Sequence, residues 1–226
     1  MSSSTPFNPL DKKNLGISVA QALLARDVVG LSALETFTGA GIYALYYSGS
    51  FAPYVKLAEH NKSGRFQMPI YVGKAENKKR KGGETGTTRS TVLFRRLKEH
   101  AESIQQAKKP LRLQDFHCRF LVVDDIWIPL GENLLIATFS PLWNTLIDGF
   151  GNHDPGGGRY EGMRPRWDVL HPGRAWAEKC KDRPETSAQI VGDVEEFLRA
   201  IPAKPPRLYT GEPPGVYEVD EDVGEG

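Results

Sequence analysis

GIYALYYSG at Gly41–Gly49 and PIYVGKA at Pro69–Ala75 decide how this chain is read. Each is a short run of β-branched and aromatic residues bounded by Gly, Pro or Ser, which predicts strands over Ile42–Tyr47 and Met68–Lys74. Strand alternation puts Tyr43, Leu45 and Tyr47 on one face of the first strand, with Ile42 and Ala44 packing inward. Tyr71 and Gly73 share a face of the second, and antiparallel pairing lets Tyr71 meet Tyr43. The intervening Ser48–Gln67 is too long for a tight hairpin; Pro53 at a helix start and the run to His60 predict a helical insertion.

Outward from this pair, Leu15, Val19, Leu23 and Leu24 recur at helical spacing and predict a packing helix over Lys13–Leu34, broken near Gly30. Asn77–Thr88 is rich in Gly, Lys and Thr and reads as an exposed loop. Leu93, Leu97, Ala101 and Ile104 then form the apolar stripe of a helix over Val92–Ala107. A third strand is expected over Phe116–Val123 and a second core helix over Gly131–Phe139. DGFGNHDPGGGR at Asp148–Arg159 is turn-rich, a last amphipathic helix is expected over Ser187–Ala200, and AKPPRLYTGEPPG after it reads as extended. The fold class is α+β: a small three-stranded antiparallel sheet flanked by helices, with N-terminal, inter-strand and C-terminal helical additions. At 226 residues the chain suits one domain, with a core at about 39–159, an N-terminal arm and helix in 1–38 and C-terminal helices and tail in 160–226.

Hydrophobic residues make up 39% and charged residues 25%, ordinary for a globular chain, and no apolar run approaches the length of a bilayer span. The opening MSSSTPFNPLDKK lacks the basic and apolar segments of a secretory signal, so a cytoplasmic location is expected. Cys118 and Cys180 are far apart and in no zinc-finger spacing, and are expected to be reduced and structural. The net charge of +1 hides a segregation: twelve Lys and Arg against four acids between Lys74 and Arg112, then six acids and no base from Gly211 onward. Such a basic middle fits a phosphate-binding surface, with Lys74, Lys78, Lys79, Arg80, Lys81 and Arg89 as its candidates. The acidic tail is expected to compete with nucleic acid for it.

Beyond the two phenols, the chain supplies a guanidinium and an imidazole at i, i+4 on one helix face, Arg96 and His100, then a carboxylate, Glu132, and an amide, Asn144. Together they can cut a phosphodiester. Arg96 can clamp a non-bridging oxygen with its planar donor fork. A phenol with an ordinary pKa near 10 is a poor base until cations or a metal favour its ionised form, so water can lose its proton to His100 directly or through Tyr43. Glu132 suits magnesium, which commonly takes one carboxylate and keeps most of its water. Asn144 can orient Glu132 or a phosphate oxygen. Taken singly, each has a plainer use: strand tyrosines in a core, Arg96 paired with Glu99, Glu132 in a helix dipole, Asn144 in a turn. Asn152, His153, Arg159, Arg164 and Arg166, on and after a glycine-rich loop, are candidates for reading base edges. Asp148, His153 and Asp154 could form a second metal site, although turn formation is the simpler use of this DPGGG setting.

The ordered set of GIYALYYSG, PIYVGKA, Arg96, His100, ENLLI with Glu132, P-L-W-N with Asn144, and DGFGNHDPG resembles the GIY-YIG nuclease superfamily, most of all its type II restriction endonuclease branch. The likeness spans roughly Gly39 to Arg159. It departs from the superfamily pattern in reading YVG for YIG and in the distance between its two tyrosines, which the insertion explains. The resemblance implies catalytic roles for Tyr43, Tyr71, Arg96, His100, Glu132 and Asn144, with Glu132 holding one Mg2+. It also implies double-stranded DNA as substrate, a GC-rich palindrome such as CCGCGG as the site, a homodimer to match it, and a cognate DNA methyltransferase encoded nearby. Two other functions compete: a non-catalytic DNA-binding module, and a repair or mobile-element nuclease of the same superfamily.

Overall fold

The computed structural model describes residues 8, 10–77, 90–107, 110–154, 156, 160–202, 204–206 and 208. Helix α1 (Lys12–Leu24) starts at Asp11, whose carboxylate accepts the Lys13 N–H at 2.9 Å. It ends well short of the expected Leu34. Past it, Val29–Gly30 forms a short strand, β1, which pairs with β4 (Phe116–Val122) through Val29 opposite Cys118 and Gly30 opposite His117. β-branched residues favour this extended path over continued helix.

Among the described residues the sheet therefore has four strands, not three, antiparallel throughout, with β1 at one edge, β4 next, then β2 (Gly41–Tyr47), and β3 (Tyr71–Ala75) at the other edge. β2 is central, pairing with β4 on one side and β3 on the other. All seven of its residues are buried, because helices cover both faces. On one face Ile42 lies under α4 (Ile128–Phe139), where a Cβ on Gly131 would meet both Ile42 and Val19 of α1. On the other, Tyr43 meets α3 (Val92–Gln106). The expected split between a site face and an inward face becomes one between two packed faces.

The insertion is helical as expected: a 3-10 turn at Ala52–Tyr54 leads into α2 (Val55–Asn61). β3 begins at Tyr71 rather than Met68. Pro69 has no N–H to give a ladder, and Met68 gives its N–H to the Asn61 side chain at 3.0 Å. The fully buried Asn61 also donates to the carbonyls of Tyr47 at 2.9 Å and Met68 at 2.8 Å, so one amide closes the excursion between β2 and β3. Asn61→Ala leaves these backbone groups unpaired, and urea unfolding is expected to report a loss of about 3 kcal/mol. A loss under about 1 kcal/mol, the worth of one ordinary hydrogen bond, contradicts this role.

Among the described residues no strand pairs with the outer edge of β3. α4 stops at Ser140 in a left-handed conformation before Pro141, and the short α5 (Leu142–Thr145) follows. There Asn144 accepts the Val72 N–H and donates to the Val72 carbonyl, both at 2.8 Å, completing the edge as a neighbouring strand would. Helix α6 (Arg166–Leu170) brings Trp167 into a buried aromatic cluster with Trp143, Phe150, Tyr54 and His171. Helix α7 (Ser187–Arg199), started by a Thr186–Gln189 capping box, buries Ile190, Val194 and Leu198 in the same core. Both cysteines are free and buried, and burial pushes the Cys118 thiol up to about 12, as suits structural thiols. Among the described residues no helix is long and apolar enough to cross a membrane.

Candidate active site

Tyr43 sits at the middle of the central strand, opposite Gly73. A Cβ at Gly73 would collide with the Tyr43 hydroxyl and the Tyr71 ring, which gives the glycine of the YVG motif its physical reason. The two phenol rings lie 6.2 Å apart, centre to centre. The Tyr43 hydroxyl is 2.5 Å from His100 Nε2. Burial raises the Tyr43 pKa well above its ordinary value, with Tyr71 adding to the rise and Arg96 opposing it. Burial also lowers the His100 pKa well below its ordinary value, helped by the charges of Arg96, His153 and Arg174. The phenol is therefore protonated and the imidazole neutral, and with the ring proton on Nδ1 Tyr43 donates to His100 Nε2. His100 is shut away from solvent, stacked on Phe150 with ring centres 4.5 Å apart.

Arg96 lies one turn before His100 on α3. Its charge opposes the burial that raises both phenols. One of its terminal nitrogens, Nη2, donates to the Gly151 carbonyl at 2.9 Å. The other, Nη1, meets Glu99 at 3.3 Å and the ring nitrogen of His153. A Cβ on Gly151 would stand 2.9 Å from the Tyr71 hydroxyl, so the loop backbone forms a wall of the site. The plainer use of Arg96, a pair with Glu99, is present, yet the same guanidinium also faces both tyrosines.

Glu132 is one turn into α4 rather than at its start, because Pro129 opens the helix earlier. Its side chain, 15% exposed, pairs with Lys74 at 3.2 Å, and Lys74 reaches Glu76 at the same distance. Burial raises the Glu132 pKa, with Lys74 opposing. The Glu132 charge in turn helps raise the pKa of Tyr43 and of Tyr71. Among the described residues no group of three or more His, Cys, Asp or Glu is placed to hold a metal ion.

Asn144 also has a structural role. Its side-chain oxygen and nitrogen both engage Val72, holding the strand that carries Tyr71 and Gly73, and each amide atom keeps capacity for one more hydrogen bond. Of the candidate DNA contacts, Lys78, Lys79, Arg80, Lys81, Arg89 and Arg159 lie outside the described residues, as does the acidic tail. Asn152 and His153 are exposed beside Arg96. Arg164 and Arg166 do not stand free to read bases. Arg166 bonds Glu185 at 3.0 Å and Asp193 at 2.5 Å, bracing the loop against α7, and Arg164 bonds the Ala177 carbonyl and Asp182 at 3.0 Å. Among the described residues Asp148, His153 and Asp154 form no metal-binding group, and Asp154 accepts the Gly156 N–H at 2.8 Å and the Tyr160 hydroxyl at 2.9 Å, as a turn former does. Phe150 and Gly151 were not foreseen as parts of the site. Their one signal in the sequence is position in the same loop as His153.

A small antiparallel sheet flanked by helices is consistent with the GIY-YIG fold. The family described as Eco29kI GIY-YIG domain matches residues 35–198, and the chain belongs to that family. It is a restriction endonuclease family, so the protein is a nuclease and its substrate class is DNA. A search of curated proteins found no match.

Proposed function

We propose that this protein is a type II restriction endonuclease that hydrolyses both strands of duplex DNA at a GC-rich palindrome, CCGCGG. A palindrome has a two-fold axis, so two copies of the chain, one for each strand, match it most simply. The protein works in the cytoplasm beside a methyltransferase, encoded nearby, that protects host copies of the site.

The observation that carries the mechanism is the hydrogen bond between Tyr43 and His100 Nε2 within a site shared with Tyr71 and Arg96. With its own proton directed at His100 Nε2, the Tyr43 oxygen has lone pairs free to accept a proton from water. As the water oxygen bonds to phosphorus, its proton passes to Tyr43 and the Tyr43 proton passes to His100. The bond from phosphorus to the 3' oxygen breaks, and that oxygen takes a proton from solvent. Arg96 is anchored through Nη2 to Gly151, while Nη1 faces partly exposed groups that a phosphate oxygen can displace. Tyr71 lends a second hydroxyl beside the same oxygens. Glu132 would hold one magnesium ion, which supplies neutralisation of the phosphate and of the departing oxygen.

Purified protein incubated with magnesium and a plasmid containing CCGCGG is expected to give discrete fragments, abolished by EDTA and by methylation of the site. A smear, or sequence-independent binding without turnover, overturns this reading.

A further inference from the structure

The loop that walls the site is held by a group no part of the mechanism has used. Arg174 is 1% exposed and lies between the rings of Trp167 and Trp176, with its guanidinium carbon 4.5 and 4.8 Å from their centres. Every one of its donors is engaged. Nε and Nη2 form a two-point pair with Asp168, at 2.7 and 2.5 Å, and this pair is almost fully buried. The remaining N–H groups go to three backbone carbonyls: Gly149 at 2.9 Å, Asn152 at 3.1 Å and Phe150 at 3.2 Å. The carbonyl they skip, that of Gly151, is the one that receives Arg96. Four successive carbonyls are thus shared between two guanidinium groups, one structural and one catalytic.

The turn demands this path. Gly149 has φ +97°, and a side chain there would strike Pro165. Gly173, with φ +143°, lets the chain before Arg174 press against the backbone at the end of α3. The loop so fixed touches two catalytic groups: Phe150 stacks on His100, and Gly151 anchors Arg96.

We propose that Arg174, locked by Asp168, is a positioning residue of the nuclease site, fixing the 149–152 backbone so that Phe150 and Gly151 hold His100 and Arg96 in register. The inference rests on the nuclease reading for its effect on rate, but not for its effect on His100. A buried ion pair of this kind adds little net stability by itself, whereas five matched acceptors on one planar group define a single geometry.

The experiment pairs two measurements on the full-length protein: single-turnover cleavage with binding measured separately in calcium, and the titration of His100 by NMR of ring-labelled histidine. In Arg174→Met we expect cleavage to fall by about 30-fold or more, the scale of a catalytic group displaced by less than an ångström. DNA affinity is expected to stay within about twofold, since Arg174 does not face solvent, and His100 to titrate closer to its ordinary range. Arg174→Lys keeps the charge but offers three donors for five acceptors, and should remain impaired in rate. Gly151→Ala leaves the buried pair intact and crowds the Tyr71 hydroxyl and Arg96 directly; it covers the case in which Arg174→Met does not fold, and should show the same losses. Unchanged cleavage and an unchanged His100 titration in folded Arg174→Met or in Gly151→Ala overturn the proposal, as does full rate in Arg174→Lys. If the wild-type protein cuts no DNA, the functional reading fails, and the His100 titration still decides the positioning role.

Discussion

Glu132→Gln is expected to lose cleavage by about three orders of magnitude while the protein still folds and still binds duplex DNA. The carboxylate is the group proposed to hold the cation, and removing a contribution of roughly 4 kcal/mol to the developing charge corresponds to about 10³ in rate. Folding should survive for a reason visible in the fold. Burial raises the Glu132 pKa against the opposing pull of Lys74, so the folded state prefers the protonated form. The sign follows: stability linked to this group is present at low pH and is lost as pH rises through a window above the ordinary glutamate value. Glutamine resembles the protonated form, and Lys74 keeps Glu76 as a partner at 3.2 Å. Thermal unfolding at neutral pH is therefore expected to match or exceed wild type. The same shift places the acid limb of the cleavage profile above the usual glutamate range, and Lys74→Met should move it higher still, because Lys74 is what opposes the rise. Retained cleavage in Glu132→Gln, with wild-type response to magnesium, would remove this carboxylate from the site.

What could be read from the sequence was what local rules encode. The two strands, the helical insertion and the Arg96–His100 spacing follow from composition and from the period of a helix. The motif glycine was legible as a place on a face, but its reason, the closeness of two phenols, needed the register. A two-residue strand such as Val29–Gly30 is too short to carry any periodic signal. β2 mixes aromatic and aliphatic residues at every position, so alternation could not tell that both faces are packed. The contacts of Asn144 and Arg166 were not legible because their partners lie 72 residues away in the first case, and 19 and 27 in the second. A side chain rich in donors looks the same in sequence whether it faces a phosphate or a carbonyl of its own chain. Arg174 shows the consequence most fully, since every acceptor that gives it a purpose is set by tertiary structure.

Tyr43→Phe and His100→Gln are each expected to lower single-turnover cleavage by about 10² to 10⁴, the range of a positioned proton-transfer group, and the double variant is expected to be no slower than the worse single by more than about threefold. The reasoning is that the two side chains form one relay. Glutamine at position 100 can still accept the Tyr43 hydrogen bond through its amide oxygen but cannot take the proton, so it separates holding the phenol from draining it. Independent contributions would multiply instead, and a double variant slower by the product of the two single effects would break the relay apart. Each loss must be set against stability, because phenylalanine at position 43 leaves the buried His100 Nε2 without a donor, at about 1–3 kcal/mol. The pH behaviour supplies a further check with a fixed sign. Burial, then Arg96, depresses the His100 pKa, so the relay stays competent as pH falls through the ordinary histidine value, and its acid limb lies below about 6.5. Stability behaves differently: below about 6.5 the unfolded chain takes a proton that folded His100 refuses, so urea midpoints fall with acid, and less steeply in His100→Gln. A cleavage profile that collapses at the ordinary histidine value, while stability stays level, would mean that His100 titrates in the open and that the water proton leaves by another route.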